Sequence, residues 1–296
     1  MRYASAAAFR QALETRLVEQ SRTSGRAHVR LRKEVVFDRL LARLLAAAPD
    51  RWLLKGALAL DYRFGDRART TRDIDLATSG DESSATSDLL AAQAVELGDF
   101  FIFAIERTTT LDGGRDSASV RYHVTAELAG RAFEEFVLDV GFDAPTGAEF
   151  DRLRGPDLLA FADIPPVEMP TLPIEVQIAE KVHAYTRSYG EHSLASTRVK
   201  DLVDLALIAA EGAPDATRLR CALEATYARR ATHGLPVTLP RPTGDWRVAF
   251  GRMARDIGLD PDIRAGHAAA AGMLDPILAG VVLSATWDAA GGCWKP

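Results

Sequence analysis

Apolar residues recur every three or four positions through the first 48 residues, and this spacing predicts two helices. Ser5 can cap the first helix, whose apolar face is made by Phe9, Leu13 and Leu17. The second helix spans residues 28–48, and its apolar stripe is made by Phe37, Leu40, Leu41, Leu44 and Leu45. We therefore expect residues 1–48 to form N-terminal helices that pack on the core of the protein.

The pattern then changes to short alternations of apolar and polar residues, which is the period of a half-buried strand. "RWLL" at 51–54 and "RDIDLAT" at 72–78 each predict a strand, and a helix that ends at Gly65 lies between them. A helix near 83–97, a strand at 100–107 and a hairpin around Gly130 follow. We interpret residues 49–162 as a core that mixes helices and strands.

Four prolines, at positions 165, 166, 170 and 173, interrupt the chain after this core. A continuous helix or a central strand is not expected there, because proline donates no backbone hydrogen bond, so we predict a linker over residues 163–173. Beyond it the spacing is helical, over residues 174–188, 198–211, 215–230, 245–256 and 262–281. The chain is thus expected to be an α+β (mixed α/β) protein with a mixed sheet and a helical domain over residues 174–296.

The charge and composition of the chain exclude some functional classes of protein. The formal net charge of −5 argues against a protein covered with nucleic acid by bulk electrostatics, and it leaves open a local basic groove. No stretch reaches the ~18 uninterrupted apolar residues of a membrane span. The N-terminus lacks a signal-peptide pattern, so we expect a cytoplasmic protein with no membrane partner. No heptad repeat demands a dimer, and a monomer is expected.

The strand "RDIDLAT" carries two aspartates, Asp73 and Asp75, on the same face. Two ionised carboxylates this close repel each other unless a cation compensates, and Mg²⁺, with Mn²⁺ as an alternative, prefers such hard oxygen ligands. "FVLDVGFD" supplies a third carboxylate, either Asp139 in a predicted strand or Asp143 after it. We predict a metal site made by Asp73, Asp75 and Asp139, with Asp143 as the alternative third ligand. Taken alone, the pair is more typical of an inert, solvent-facing edge strand.

The step from strand to helix at Lys55 and Gly56 favours phosphate binding. Because glycine has no Cβ, the backbone N–H groups at the helix N-terminus can approach an anion closely, and Lys55 adds a positive charge. A strand, a glycine turn, a helix and a strand with two acidic residues form an arrangement that can hold a nucleoside triphosphate and its metal. We therefore predict that Lys55 and Gly56 contact a nucleotide.

Four segments together resemble one family. "LLKGALALDYRFGDRARTTRDIDL", "FVLDVGFD", "IEVQIAEKVHA" and "RVKDLVDLALI" are similar, in order and rough spacing, to the motifs of the AbiEii/MenT-type nucleotidyltransferases. These are toxins of type IV toxin–antitoxin systems within the DNA polymerase β-like nucleotidyltransferase superfamily. The resemblance extends from about residue 28 to about residue 211. It departs at Ala57, where the family usually has a second Gly or a Ser, so phosphate contacts there would come from backbone N–H groups.

The resemblance implies roles for the helical half. Lys181 would bind the triphosphate and Asp201 would be needed for catalysis, both facing the metal site across a cleft. From their charge, Arg198 and Lys200 are expected to hold phosphates of the triphosphate or of an RNA backbone, and Arg72, beside the carboxylates, is expected to bind the nucleotide. From the pattern alone, an inter-helix salt bridge or a solvated face is the simpler interpretation of Lys181 and Asp201. Asp204, one helical turn after Asp201, is expected only to cap contacts between helices.

The resemblance also implies a reaction. A hydroxyl at the 3′ end of tRNA would attack the α-phosphorus of an NTP, and the added nucleotide would block aminoacylation and translation until a cognate antitoxin neutralises the toxin. Two alternatives are transfer to a small-molecule or protein hydroxyl, and an inactive nucleotide-binding module. The arginines around the carboxylates mildly favour RNA as acceptor, and the presence of three candidate metal ligands argues against an inactive module.

Overall fold

The computed structural model describes residues 2–108, 119–144, 149–187 and 198–296. The chain divides into two compact units, of which the first consists of Met1–Gly65 and Thr70–Leu172 and the second of Asp66–Arg69 and Pro173–Pro296. None of the helices within the described ranges is long and apolar enough to cross a membrane.

A mixed sheet forms the centre of the first unit. Its described strands are β1 (Trp52–Lys55), β2 (Asp73–Thr78), β3 (Phe101–Arg107), β4 (Ser119–Leu128), β5 (Arg131–Gly141), β6 (Asp151–Arg154) and β7 (Glu168–Thr171). They lie in the order β3-β4-β5-β2-β1-β7-β6. The central strand β2 runs antiparallel to β1 and parallel to β5. The predicted mixed α/β fold class is thereby confirmed.

Within the described residues, four α-helices pack with this sheet, and they are α1 (Ala6–Ser24), α2 (His28–Ala47), α3 (Gly56–Phe64) and α4 (Glu82–Ala94). The Ser5 hydroxyl caps α1 by accepting a hydrogen bond from the backbone N–H of Ala8 at 3.3 Å. The predicted apolar faces of α1 and α2 join the same buried core as Ile74 of β2 and Leu138 of β5. Full burial of each such leucine or phenylalanine contributes about 1.5–3 kcal/mol, so the two N-terminal helices are part of the core.

The prediction of an unstructured proline linker is wrong at Glu168–Thr171, which forms β7 inside the sheet. Pro170 pairs in register with Arg152 of β6, and Thr171 pairs with Leu54 of β1. A strand this short loses few ladder hydrogen bonds to a proline, and the fixed φ of proline suits extended backbone. Strand β6 was not predicted either, because its sequence "DRLR" contains a single apolar residue.

The second unit is mainly helical, as predicted. Its described helices are α5 (Ile174–Thr186), α6 (Val199–Glu211), α7 (Ala216–Arg230), α8 (Arg247–Asp256) and α9 (Ile263–Leu278). Residue 188, the predicted end of α5, lies outside the described residues. A C-terminal hairpin, β8 (Thr286–Asp288) and β9 (Cys293–Lys295), is fixed by its tryptophans. The indole N–H of Trp287 donates to the Ala209 carbonyl at 2.8 Å, and that of Trp294 donates to the Met273 carbonyl at 3.0 Å.

Candidate active site

Three carboxylates lie side by side on one face of the sheet in the first unit. Asp73 and Asp75 are two residues apart on β2, and Asp75 pairs in register with Asp139 on the parallel strand β5. Alternate residues of a strand and register partners on neighbouring strands share a face. All three aspartates are partly exposed, whereas their neighbours Ile74 on β2 and Leu138 on β5 are buried. The structure therefore brings together the three predicted residues, and it places Asp143 beyond the end of β5.

Arg121 of β4 contacts this cluster from the other side of β5, where it is the register partner of Asp139. Its Nε donates to Asp139 Oδ1 at 2.7 Å and its Nη2 donates to Asp139 Oδ2 at 2.8 Å. These hydrogen bonds to Asp139, together with the charges of the three aspartates, raise the pKa of Arg121. Arg121 was missed from the sequence, because cross-strand register leaves no local signal. Both oxygens of Asp139 are thus engaged by a bidentate guanidinium.

Gly56 begins helix α3 directly beside Asp75. Its φ is +67°, in the left-handed region that glycine adopts easily, and a Cβ at this position would lie 1.9 Å from Asp75 Oδ2. The glycine is therefore required by the close approach of the aspartate. Helix α3 has no side-chain cap bond at its N-terminus, so the N–H groups of its first turn suit an anion.

Lys55, Arg72 and Thr71 complete the surroundings of β2. The ammonium Nζ of Lys55 lies 3.7 Å from Asp143 Oδ1, at the end of β5. Arg72 is exposed, and no hydrogen bond or ion pair joins it to any other described residue. The buried Thr71 donates its hydroxyl to Asp73 Oδ1, which orients that carboxylate. The candidate nucleotide-binding residues of the first unit thus lie on or next to β1 and β2.

Asp73 and Asp75 fit a magnesium ion by the chemistry of their donor atoms. Within the described ranges, no group of three or more His, Cys, Asp and Glu side chains is arranged to hold a metal. This agrees with the engagement of Asp139 by Arg121. Mg²⁺ is commonly held by one or two carboxylates plus substrate phosphates and water, and two carboxylates on one face of a strand meet that requirement.

The second unit contains a separate cluster, built around Asp204 of α6. Lys181 Nζ of α5 lies 2.6 Å from Asp204 Oδ2, and Arg69 donates to both oxygens of Asp204 at 2.9 and 3.1 Å. The Asp204 side chain is only 1% exposed. Asp204 makes a contact between helices, as expected, and it is also the nearest counter-charge of the buried Lys181 and the partly buried Arg69. Sequence spacing hides this, since Asp201 and Asp204 share one side of a helix.

Asp201 occupies the edge of the same cluster. Its Oδ1 lies 3.7 Å from Lys181 Nζ, and its Oδ2 lies 3.6 Å from Nη1 of Arg198, which precedes α6. The structure thus shows the inter-helix salt bridge that the pattern suggested for Lys181, with Asp204 as the nearer partner. Nucleotide binding by Lys181 and Arg198 and catalysis by Asp201 remain predictions.

Burial and ion pairing set the pKa values of this cluster in opposite directions. Burial alone would lower the pKa of Lys181, but Asp204 and Asp201 outweigh it and the pKa is raised. Burial would raise the pKa of Asp204, but Lys181 and Arg69 outweigh it and the pKa is lowered. For Asp201 burial prevails over Lys181, and the pKa is raised. The fold therefore stabilises the charged forms of Lys181 and Asp204, and it shifts the pKa of Asp201 in the opposite direction from that of Asp204.

Comparisons with solved structures show what this fold is similar to. MenT4, a nucleotidyltransferase toxin from Mycobacterium tuberculosis, matches with a TM-score of 0.56 and 19% identity, over 91% of this chain and 99% of that chain. A putative nucleotidyltransferase from H. pylori matches with a TM-score of 0.46 and 18% identity, over 84% and 97% of the two chains. At these identities the likeness to MenT4 shows a shared fold.

Sequence comparison identifies the family. No protein in a search of curated proteins matches the chain. The family model described as "Nucleotidyl transferase AbiEii toxin, Type IV TA system" matches residues 39–279, a range that contains β2, β5, α5 and α6. Because this match covers most of the 296 residues, the chain belongs to the AbiEii family of nucleotidyl transferase toxins of type IV toxin–antitoxin systems.

Proposed function

We propose that the protein transfers a nucleoside monophosphate from an NTP to the 3′ end of tRNA in the cytoplasm, which blocks aminoacylation and translation, and that a cognate antitoxin neutralises it. The observation that carries this proposal is the register of Asp73, Asp75 and Asp139 next to Gly56. Asp73 and Asp75 beside an uncapped helix N-terminus can bind a metal–triphosphate complex, with Asp139 next to them, and membership of the AbiEii family supports nucleotidyl transfer as the reaction.

We assign residues of each of the two units to the triphosphate. In the first unit, the N–H groups that follow Gly56 bind phosphate oxygens, and Lys55 and Arg72 contribute positive charge. We assign Lys181 of the second unit to the same triphosphate, as the family resemblance implies, and Arg198 because of its positive charge. A magnesium ion held by Asp73 and Asp75 would supply charge neutralisation and would orient the phosphates when bound.

The chemical step is an in-line displacement at the α-phosphorus. The oxygen of the acceptor hydroxyl forms a bond to this phosphorus, and the bond to the bridging oxygen of the β-phosphate breaks, so that pyrophosphate leaves with the electron pair. Positive side chains stabilise the leaving charge. The hydroxyl proton passes to Asp139, which accepts it after one of its two Arg121 hydrogen bonds is exchanged. Catalysis in this scheme is mostly positioning and charge stabilisation.

A labelling reaction tests the proposal. Purified protein, MgCl₂, total tRNA and each α-³²P-labelled NTP in turn are incubated with wild type, Asp73→Asn and the control Glu96→Gln. Glu96 is exposed, and no contact joins it to another described residue. We expect label in tRNA with at least one NTP, a loss of roughly 10³-fold in Asp73→Asn because a charge-stabilising group is removed, and no change in Glu96→Gln. EDTA should abolish the transfer.

The other outcomes identify the alternatives. Label in a small-molecule or protein fraction would make that hydroxyl the acceptor instead of tRNA. Magnesium-dependent NTP binding with no transfer would make the protein an inactive nucleotide-binding module. For the toxin role, expression of wild type but not of Asp73→Asn should arrest growth of a bacterial host, and co-expression of the cognate antitoxin should restore it.

A further inference from the structure

A groove of about 1090 Å³ lies within the second unit, between the segment that precedes α8, helix α8 itself and the start of α9. Four arginines line it, and they are Arg241, Arg247, Arg255 and Arg264. The acidic residue in its lining is Asp262, whose carboxylate caps α9 by accepting from the backbone N–H of Arg264 at 3.0 Å. The lining therefore carries a clear excess of positive charge in a chain whose net charge is −5.

The four groove arginines differ from most arginines of the protein in having no partner. All four are exposed, and in the part of the chain that the structure describes none of their guanidinium groups forms a hydrogen bond or an ion pair. By contrast, the buried Arg43 is fully engaged by Asp99 and by backbone carbonyls. A guanidinium group presents five N–H donors in a fixed fork that matches a phosphate group. Four such unpaired forks along one groove form a binding surface for a polyanion.

The rest of the lining favours a nucleic-acid backbone over base recognition. No Phe, Tyr or Trp lies among the described lining residues, so the groove offers no stacking surface of the kind that holds unpaired bases. The ring of His267 is already committed, because its Nε2 lies 3.1 Å from the Leu239 carbonyl and 3.0 Å from the Pro240 carbonyl. The groove is therefore suited to contacts with phosphate groups, which do not depend on the nucleotide sequence.

We propose that this groove binds the phosphate backbone of the acceptor RNA during nucleotidyl transfer. The inference rests on the proposed function, because it assigns residues that would hold the RNA acceptor of that reaction. Binding of this kind is dominated by counterion release, so it weakens steeply as salt rises, with a slope of about one unit of log K per phosphate contact. It should also be tolerant of RNA sequence outside the 3′ end.

The test is fluorescence-anisotropy titration of labelled tRNA between 50 and 200 mM salt, without NTP or divalent metal. Wild type is compared with Arg247→Gln/Arg255→Gln, which removes two groove charges. The control is Arg22→Gln/Arg252→Gln, which removes the same charge from exposed arginines that do not line the groove, Arg252 being on the same helix α8. We expect the groove variant to bind about tenfold more weakly with a salt slope smaller by about 2, and the control to bind like wild type.

The outcomes separate this inference from the proposed function. If wild type labels tRNA while the groove variant binds and labels tRNA as wild type does, the groove assignment is wrong and the transfer activity stands. If the groove variant loses tRNA binding but wild type labels no RNA, the groove is an RNA site and the proposed function is wrong. If wild type binds no RNA and instead binds an acidic protein such as the antitoxin through these arginines, the RNA assignment is overturned. Equal thermal unfolding midpoints would show that all variants are folded.

Discussion

The carboxylate cluster of the first unit and the Asp204 cluster of the second unit differ in the burial of their carboxylates and in the number of cations paired with them. Asp73, Asp75 and Asp139 are partly exposed, and the guanidinium of Arg121 is hydrogen-bonded to Asp139. Asp204 is almost fully buried between two cations, Lys181 and Arg69. In the first cluster three carboxylates lie on one face of the sheet beside the guanidinium of Arg121, whereas the carboxylate at the centre of the second is paired with two cations.

This difference predicts that the two clusters respond differently to substitution. Removing one partner of a buried ion pair leaves an uncompensated charge in a medium of low polarity, which strongly destabilises the fold. Excess charge of one sign at a partly exposed site contributes nothing favourable until a ligand of the opposite sign binds. Variants of the second cluster should thus change stability first, and variants of the first should change ligand binding or transfer first.

The largest expected effect is on stability, in Asp204→Asn. Without its carboxylate, Lys181 and Arg69 lose their nearest counter-charge, and we expect a decrease in the free energy of unfolding of about 3–5 kcal/mol. Urea unfolding followed by circular dichroism measures it. Asp201→Asn is the matched control, because Asp201 lies 3.7 Å from Lys181 whereas Asp204 lies 2.6 Å from it, so the loss in Asp201→Asn should be smaller, about 1 kcal/mol or less. Equal losses in the two variants would contradict the assignment of Asp204 as the central counter-charge.

The next effect is on transfer, in Gly56→Ala. The added Cβ would overlap Asp75 Oδ2, so the carboxylate has to move, and a displacement of about 1 Å can reduce a rate about 100-fold. Gly25→Ala is the control, because Gly25 has a similar φ of +73° but open space around its missing Cβ. Both variants should lose about 1–2 kcal/mol of stability from the strained φ, and only Gly56→Ala should lose transfer. Loss of transfer in both would make backbone strain, and not the overlap with Asp75, the cause.

A smaller effect should appear in the pH dependence of stability. The pKa of Asp204 is lowered in the folded protein, so its contribution is present above its unfolded pKa of about 4 and is lost as pH falls through the folded pKa. The wild type should therefore lose stability on acidification below about pH 5 more steeply than Asp204→Asn does. Urea midpoints at several pH values between 7 and 3 measure the two slopes, and parallel slopes would show that Asp204 contributes nothing to acid unfolding.

Much of the first cluster could be predicted from sequence, because it depends on local patterns. The alternation of "RDIDLAT" places Asp73 and Asp75 on one face without any tertiary information, and the glycine after β1 marks the turn into α3. Arg121 could not be predicted, since its contact with Asp139 depends on the register between β4 and β5. Strand β7 was not predicted for a related reason, because pairing with β1 and β6 overrides the local preference of Pro170.

The second cluster and the groove both depend on how the helices pack, and sequence spacing does not determine that packing. Asp201 and Asp204 are three residues apart, and only packing of α5 on α6 makes Asp204 the nearer partner of Lys181. The groove arginines are spread over residues 241–264, so they form no cluster along the chain. The sequence offers denser groups, such as Arg229 and Arg230, and both of these lie within 3.9 Å of Glu180.

The smallest and sharpest effect concerns Arg121, whose removal should tighten metal binding. Arg121→Gln frees both oxygens of Asp139 and removes one positive charge beside Asp73 and Asp75. An added net negative charge several ångströms from a divalent cation should strengthen Mn²⁺ binding about tenfold, or about 1.4 kcal/mol, at low ionic strength. Titration calorimetry with Mn²⁺ and no nucleotide measures this without any reference to transfer.

Arg121→Gln/Asp139→Asn decides how Arg121 acts. The double variant restores the net charge of wild type, so its Mn²⁺ affinity should return close to that of wild type if Arg121 acts by balancing the charge of Asp139. If Arg121→Gln instead weakens Mn²⁺ binding, the guanidinium must hold Asp139 in place as a metal ligand. In that case the cluster would need Arg121 as a positioning residue, and the excess of negative charge alone would not explain its capacity to bind a cation.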